Sequence, residues 1–269
     1  MKFTILGSSG FIGSHLANHF DQVGIPYYAP LRNDPNIFED NLGHLIYCIG
    51  LTADFREQPF NTVKAHVCYL LNILENTSFD SFLYLSSTRI YLGSKTTNED
   101  RSLRVNPINK DDLYNISKIM GEALCLSSSR PNVRVIRLSN VYGSDHKSTN
   151  FLTSIIQEAL INKKVVLRSS LESAKDYVSI DDVVALVLQI AIKGQYSIYN
   201  IASGTNVSNQ TLLSNLQELT GCTVEVLPNT KAIIFPKIAI SRICNEFDFY
   251  PTSLLDSLEN LINLYRQKQ

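Results

Sequence analysis

A tyrosine and a lysine four residues apart are the first candidates for chemistry in this chain. Tyr114 and Lys118 lie in a segment with helical apolar spacing, from about residue 111 to 128, so both side chains leave the same face of the predicted helix. An ammonium near a phenol favours the phenolate. We therefore expect Lys118 to lower the pKa of Tyr114 and to make it an acid or base near neutral pH.

A run of hydroxyl side chains ends an apolar segment about 27 residues before the tyrosine. The segment 82–86 is a predicted strand that ends in Ser86, and Ser87 and Thr88 follow it. Open parallel sheets bind their ligands at the carboxyl ends of the strands. Ser87 is therefore a candidate donor to a substrate oxygen.

A glycine-rich turn between a predicted strand and a predicted helix is typical of a diphosphate cradle. Gly7 allows the tight turn, Gly10 lets the backbone approach a pyrophosphate, and Gly13 permits close contact between helix and strand. A turn that serves only packing is the alternative. The candidate cofactor-binding residues of this turn are Gly7, Ser9, Gly10, Phe11, Ile12 and Gly13.

Apolar strands alternate with helical patterns, which predicts an α/β fold with a doubly wound, Rossmann-type parallel sheet and a smaller mixed C-terminal lobe. We expect a dinucleotide-binding domain over 1–143, a substrate lobe mainly over 144–269, and a strand and helix from about 165–201 that return to the first domain. The predicted strands are 2–6, 25–29, 44–49, 82–86, 132–137, 165–168 and 197–201, and the predicted helices are 11–23, 60–76, 111–129, 150–161, 181–192, 208–219 and 252–267.

The chain resembles the extended short-chain dehydrogenase/reductase family, in its branch of sugar-nucleotide epimerases, dehydratases and reductases. The resemblance implies that Tyr114 is the catalytic acid/base and that Lys118 tunes it and holds the nicotinamide ribose. It also implies that Ser87 polarises the substrate oxygen, with Thr88 as the alternative. The motifs that carry the resemblance, besides the glycine turn and the Tyr114/Lys118 pair, are 85–91, 137–143, 175–183 and 199–204.

The chain departs from the family on the adenosine side of the predicted cofactor site. Only about a dozen residues separate the second strand from the third, where the family fits another helix and strand. Arg32 follows the second strand where a carboxylate normally binds the NAD ribose, so Arg32 is a candidate partner of a 2′-phosphate. This favours NADP over NAD; the alternatives are that Arg32 is only solvated and that Asp34 reaches a ribose.

A second departure lies beside the predicted catalytic residues. Family dehydratases follow the serine or threonine with Asp-Glu, whereas this chain has Thr88 and Arg89. A 4,6-dehydratase is therefore disfavoured, and epimerisation or ketone reduction through Tyr114 fits better. His66 stands where the family usually has an asparagine, either as a hydrogen-bonding group or as a packed core histidine.

Residues for the substrate follow from the resemblance less directly. Asn140 matches a family position that contacts a nucleotide diphosphate, and Arg168 or Lys175 could offset phosphate charge. An exposed position on a strand is the alternative for Arg168. Asp181 and Asp182 begin a predicted helix, where carboxylates suit the helix dipole, and Asp176 is expected to be structural.

These observations predict an NAD(P)-dependent epimerase or keto-reductase that acts on a nucleotide-activated sugar. The alternative from another class is a non-catalytic protein that binds NADP or a sugar nucleotide. The shortened adenosine side favours easy cofactor exchange and hence a reductase, whereas the number of known family members favours an epimerase. The resemblance also predicts a homodimer that uses the helix bearing Tyr114.

The composition of the chain limits the partners, location and metal content that we expect. The chain has 269 residues, 44% hydrophobic content and a net charge of −1. We expect no nucleic-acid or membrane partner, and a cytoplasmic location because the first strand begins at Lys2. The five cysteines and five histidines show no metal-ligand spacing, so we expect buried reduced thiols and no metal.

Overall fold

The computed structural model describes residues 1–51, 55–144, 148 and 150–267. Its main sheet has six parallel strands in the order β2-β1-β3-β4-β5-β9. The chain winds outward from β1 to β2 and then returns to β3 on the other side, so the order reverses between β1 and β3. The strands are β1 (Phe3–Leu6), β2 (Tyr27–Tyr28), β3 (His44–Tyr47), β4 (Ser81–Ser87), β5 (Val133–Leu138), β6 (Asn140–Tyr142), β7 (Lys164–Leu167), β8 (Ala174–Ser179), β9 (Ile198–Ile201), β10 (Asn206–Ser208) and β11 (Thr223–Val226).

Helices cover both faces of this sheet, which confirms the predicted doubly wound fold. Ile5 and Leu83 belong to the core under α1 and α6, whereas Leu6 and Tyr84 belong to the core under α3 and α4, as strand alternation requires. The helices are α1 (Phe11–Val23), α2 (Pro59–Val63), α3 (Tyr69–Asn76), α4 (Asp112–Ser127), α5 (Phe151–Ile161), α6 (Ile180–Lys193), α7 (Asn209–Thr220), α8 (Ser241–Phe247) and α9 (Leu254–Arg266).

A separate core forms among α5, α7 and α9. Ile156, Leu212 and Leu258 lie in it with almost no exposure. Beside it are two small sheets, one of β10, β8 and β6 and one of β11 and β7. Only Ser139 separates β5 from β6, so the chain passes directly from the large sheet to a small one.

The structure corrects several expected elements. Within the predicted range 165–201, α6 and β9 do pack with the main sheet, but β7 pairs with β11 instead. β2 is two residues long because Pro30 soon follows, and a 3₁₀ turn over Pro35–Phe38 takes the place of a helix and strand. Sequence patterns missed the short elements β6, β10, β11 and α8, and they also missed β8, which has six residues. The domain boundary near residue 143 stays a prediction.

The predicted helix 60–76 is interrupted in its middle. A π-helical turn over Lys64–Cys68 separates α2 from α3. Such turns interrupt the regular backbone ladder and often lie at functional sites. The turn contains His66, whose side chain is fully buried.

Candidate active site

The glycine turn has the geometry that a dinucleotide needs. Gly7 has a φ of +87°, and Gly10 N–H donates to the Gly7 carbonyl at 3.0 Å. A Cβ on Gly13 would collide with that carbonyl oxygen, whereas a Cβ on Gly10 would approach it only to 3.4 Å. Gly13 is therefore required for helix packing, and Gly10 leaves open space above the turn.

The first turn of α1 provides free backbone donors at this point. Gly10 is the N-cap and has no side chain to bond them, so the N–H groups of Phe11, Ile12 and Gly13 remain for a ligand. The turn lies at the carboxyl end of β1, next to β3, where the sheet order reverses. A pyrophosphate fits this cradle, with Ser9 exposed at its rim.

Tyr114 and Lys118 share one face of α4 as predicted, and both are buried. The Lys118 Nζ donates to the Leu85 carbonyl at 2.8 Å. A Cβ on Gly50, just after β3, would lie 3.5 Å from the same Nζ. Lys118 therefore reaches from α4 past β4 to the end of β3, beside the switch in strand order.

The expected effect of Lys118 on Tyr114 is wrong for this geometry. Burial raises the pKa of Tyr114, while a hydrogen bond with Ser87 and the charge of Arg89 oppose that rise. Burial also lowers the pKa of Lys118 to about 7, against the opposing charge of Glu122. The ammonium is directed at the Leu85 carbonyl rather than at the phenol, so desolvation decides both shifts.

Ser87 is the hydroxyl that meets Tyr114. It ends β4, and its Oγ accepts a hydrogen bond from Arg89 N–H at 3.2 Å, which starts a 3₁₀ turn over Thr88–Tyr91. Ser87 is half-buried, whereas Thr88 is buried inside that turn. Ser87 is therefore the more accessible of the two hydroxyls, and its role toward a substrate oxygen stays a prediction.

His66 is both a hydrogen-bonding group and a core residue. Leu51 N–H donates to its Nε2 at 3.2 Å, and its Nδ1 lies 2.9 Å from the Ser117 Oγ. Ser117 donates to the Tyr114 carbonyl at 2.8 Å, so Nδ1 must be the donor to Ser117. Burial, followed by the charge of Lys118, lowers the pKa of His66 to about 2. A neutral His66 thus joins the end of β3 to α4.

A buried ion pair behind the site was not predicted from the sequence, although Arg137 lies in the motif 137–143. Arg137 on β5 donates to both carboxylate oxygens of Glu122 on α4, at 2.6–3.1 Å, and each side chain is 3% exposed. Ser86 donates to Glu122, and Arg137 also donates to the Tyr91 hydroxyl. These contacts fix β4, β5 and α4 relative to one another.

The predicted residues for the substrate lie on the other side of the site. Asn140 on β6 is exposed, and its Nδ2 donates to the Asp176 carbonyl at 2.8 Å. Arg168 follows β7, is 71% exposed, and lies 3.6 Å from Glu158. Asn140 is thus adjacent to β8, whereas the contact that Arg168 makes is a surface ion pair. Their roles toward a substrate stay predictions.

The residues expected to be structural have structural contacts. Asp176 is buried and accepts hydrogen bonds from the backbone N–H groups of Ser203 and Thr205. Asp181 and Asp182 lie in the first turn of α6, where Asp182 also accepts two hydrogen bonds from Thr252.

On the adenosine side, Arg32 is exposed at the turn after β2. Asp34 uses one carboxylate oxygen to cap the following 3₁₀ turn and the other to accept a 2.8 Å hydrogen bond from Tyr28. Both oxygens of Asp34 therefore hold the turn in place, and Arg32 is exposed beside it.

The described residues form neither a metal cluster nor a membrane-spanning helix. In the described part of the chain, no cluster of three or more histidine, cysteine, aspartate or glutamate side chains is placed to hold a metal ion. None of the helices described has the length and apolar character that a membrane crossing requires. The five thiols are unpaired, and Cys68 is exposed, contrary to the expected burial.

The chain is similar in sequence to one protein family and to individual proteins that modify nucleotide sugars. The model of the NAD dependent epimerase/dehydratase family matches residues 36–202, which is more than half of the chain. A dTDP-D-glucose 4,6-dehydratase from Dictyostelium discoideum is 25% identical over 260 residues, covering 77% of this chain and 59% of that protein. A dTDP-4-dehydro-6-deoxyglucose reductase from Escherichia coli is 27% identical over 230 residues, covering 77% and 67%.

The fold similarity extends over the whole chain. The structure of MoeE5 in complex with UDP-glucuronic acid and NAD superposes with a TM-score of 0.85 and 20% identity, covering 100% of both chains. By contrast, this chain spans only 59% of the length of the Dictyostelium relative.

Proposed function

The chain belongs to the NAD dependent epimerase/dehydratase family, and we propose that it is an NAD(P)-dependent epimerase or keto-reductase acting on a nucleotide-activated sugar. The observation that carries this proposal is the meeting of the Ser87 and Tyr114 side chains at the carboxyl end of β4. Lys118 lies one helical turn further along α4, next to the end of β3 and the neighbouring glycine turn.

Each residue of the site has its own proposed role in the reaction. A bound nicotinamide would supply a hydride acceptor or donor. Tyr114 exchanges a proton with the reacting sugar oxygen, and Ser87 donates a hydrogen bond to that oxygen. Because burial raises the pKa of Tyr114, the phenol is protonated near neutral pH and suited to donating a proton to a reduced ketone. Lys118 would hold the nicotinamide ribose.

The absence of carboxylates at Thr88 and Arg89 supports epimerisation or reduction over 4,6-dehydration, as does similarity to the Escherichia coli reductase. The Dictyostelium relative carries a dehydratase name, so this preference is itself a proposal to test. A reductase consumes one reduced nicotinamide per turnover, whereas an epimerase consumes none. Nicotinamide absorbance during turnover distinguishes the two.

Replacing Tyr114 with phenylalanine tests the catalytic role. The variant should lose turnover by about 10²-fold or more and still bind cofactor, because only the proton-transfer group is removed. Cofactor affinity measured by thermal-shift titration is the control. A wild-type protein that binds cofactor but turns over no nucleotide sugar would favour the non-catalytic alternative.

For the cofactor, we propose NADP, supported by the exposed Arg32 and by the two hydrogen bonds that engage Asp34. Replacing Arg32 with serine should weaken NADP binding at least about tenfold, as expected for a charge-assisted contact, and leave NAD binding nearly unchanged. Equal affinities of the wild-type protein for NAD and NADP would contradict this assignment.

We also propose a homodimer through α3 and α4. Leu71, Met120 and Leu126 are 40–50% exposed on these two helices, which supports a covered face in solution. Replacing Met120 with lysine should shift the mass measured by sedimentation from dimer to monomer. A monomeric wild-type protein would contradict this proposal.

A further inference from the structure

The turn after β4 holds an arginine beside the catalytic tyrosine. Arg89 is half-buried, and its Nε is shielded from solvent without a hydrogen-bond partner in the described part of the chain. Its Cζ lies 5.4 Å from the centre of the Phe55 ring, and that ring lies 5.3 Å from the ring of Tyr114. The guanidinium is therefore held next to the reacting group.

Two acidic groups near Arg89 in the described part of the chain already have other partners. Asp111 bonds Arg56 at 2.6 Å, and Asp112 accepts hydrogen bonds from Asn106 N–H and the Asn115 side chain. No ion pair of Arg89 exists among the described residues. Burial, followed by the charge of Arg56, lowers the pKa of Arg89, while the charges of Asp111, Tyr114 and Asp112 oppose that shift.

A second cation, Lys175, lies on the opposite side of the site. Its Nζ is 4.9 Å from the Phe151 ring, and no ion pair within the described residues uses it. Burial and then Arg89 lower its pKa. A partly buried cation that has no ion-pair partner among the described residues is costly unless a ligand brings negative charge to it.

Arg89 and Lys175 lie at different places in the site. Each of them therefore suits a different anionic group of one ligand. Lys175 lies on β8, two residues before Tyr177, which pairs with Asn140 on β6. That side of the site suits a diphosphate. Arg89 follows Ser87 by two residues and shares the Phe55 ring with Tyr114, so it faces the reacting sugar.

We infer that Arg89 binds a carboxylate on the sugar ring, so the substrate is a nucleotide-linked hexuronic acid rather than a neutral hexose. A hexuronic acid carries this carboxylate directly on the ring, and the fork of a guanidinium matches its two oxygens. This inference rests on the proposed function and adds the class of sugar and the residue that selects it.

The test is a calorimetric titration of the cofactor-loaded protein with UDP-glucuronic acid and UDP-glucose, with the dTDP counterparts in parallel. The wild-type protein should bind the uronic acid at least about tenfold more tightly than the hexose of the same base. Arg89→Gln should remove this preference, and Arg89→Lys should keep part of it. Lys175→Gln should weaken both sugars by a similar factor.

Two outcomes would contradict the assignment of Arg89 to a sugar carboxylate without contradicting the proposed function. One is a wild-type protein that binds the neutral hexose as tightly as the uronic acid. The other is an Arg89→Gln variant that weakens both ligands equally, which would assign Arg89 to the diphosphate. Cofactor affinity and the thermal midpoint of each variant verify folding, and Arg89→Lys provides the second variant. Binding of none of these nucleotide sugars would instead refute the proposed function.

Discussion

We expect the free energy of unfolding of this chain to fall in mild acid. Replacing His66 with asparagine should remove a large part of that fall. The imidazole is fully buried between the Leu51 N–H and the Ser117 hydroxyl. Its Nε2 must stay unprotonated to accept the hydrogen bond from Leu51. Burial and the charge of Lys118 lower the pKa of His66 from 6.5 to about 2.

The sign and size follow from proton linkage. Between about pH 6.5 and pH 2, the unfolded chain binds a proton at residue 66 and the folded chain does not. The free energy of unfolding therefore falls as the pH falls through this window. At pH 5, one and a half units below the unfolded pKa, the loss from this one group is about 2 kcal/mol.

The assay is urea unfolding at about pH 8 and pH 5 for the wild-type chain and His66→Asn. Between these two pH values, the wild-type chain should lose about 2 kcal/mol more than the variant. Cys68→Ser, an exposed change in the same π-helical turn, is the matched control and should retain the wild-type loss. An equal loss in the wild-type chain and His66→Asn would refute the conclusion that His66 is held neutral.

Two further predictions use matched pairs of variants. Gly13→Ala should lower the free energy of unfolding by about 1–3 kcal/mol, because its Cβ would meet the Gly7 carbonyl oxygen, whereas Gly10→Ala should weaken cofactor binding with a smaller effect on folding. Equal urea midpoints for the two variants would contradict this. Glu122→Gln should cost about 3–5 kcal/mol in urea unfolding because it leaves Arg137 buried without its counter-charge. Glu225→Gln, which breaks the exposed pair with Lys164, should change stability little, and a similar cost for both would contradict the role of burial.

The sequence predicted those parts of the site that depend on local spacing. The separation of Gly7 from Gly13 determines a strand–turn–helix geometry, and the four-residue spacing of Tyr114 and Lys118 determines a shared helix face. Both follow from backbone geometry within one element or one turn. The order of strands and helices could be predicted for the same reason.

Features that depend on packing between distant segments could not be predicted. The direction of the Tyr114 pKa shift is decided by burial, which no local pattern gives. From the sequence, Arg89 indicated only that the carboxylate of the family's dehydratases is missing at this position. Its contact with Phe55 joins residues that are 34 positions apart, which no local pattern predicts. β8 pairs with β6 and β10, which are each only three residues long. Its strand conformation therefore depends on tertiary pairing.

Burial lowers the pKa of Lys118, and the charge of a carboxylate on the same helix opposes that shift. Glu122 follows Lys118 by one helical turn and raises its pKa, but Arg137 and Ser86 already donate to both oxygens of that carboxylate. The Leu85 carbonyl is then what Lys118 bonds, and a carbonyl compensates an ammonium less than a carboxylate does. Burial is therefore opposed only in part, and the pKa of Lys118 stays below its ordinary value at about 7. The buried ion pair of Arg137 and Glu122 holds β5 against α4 beside Tyr114 and Lys118.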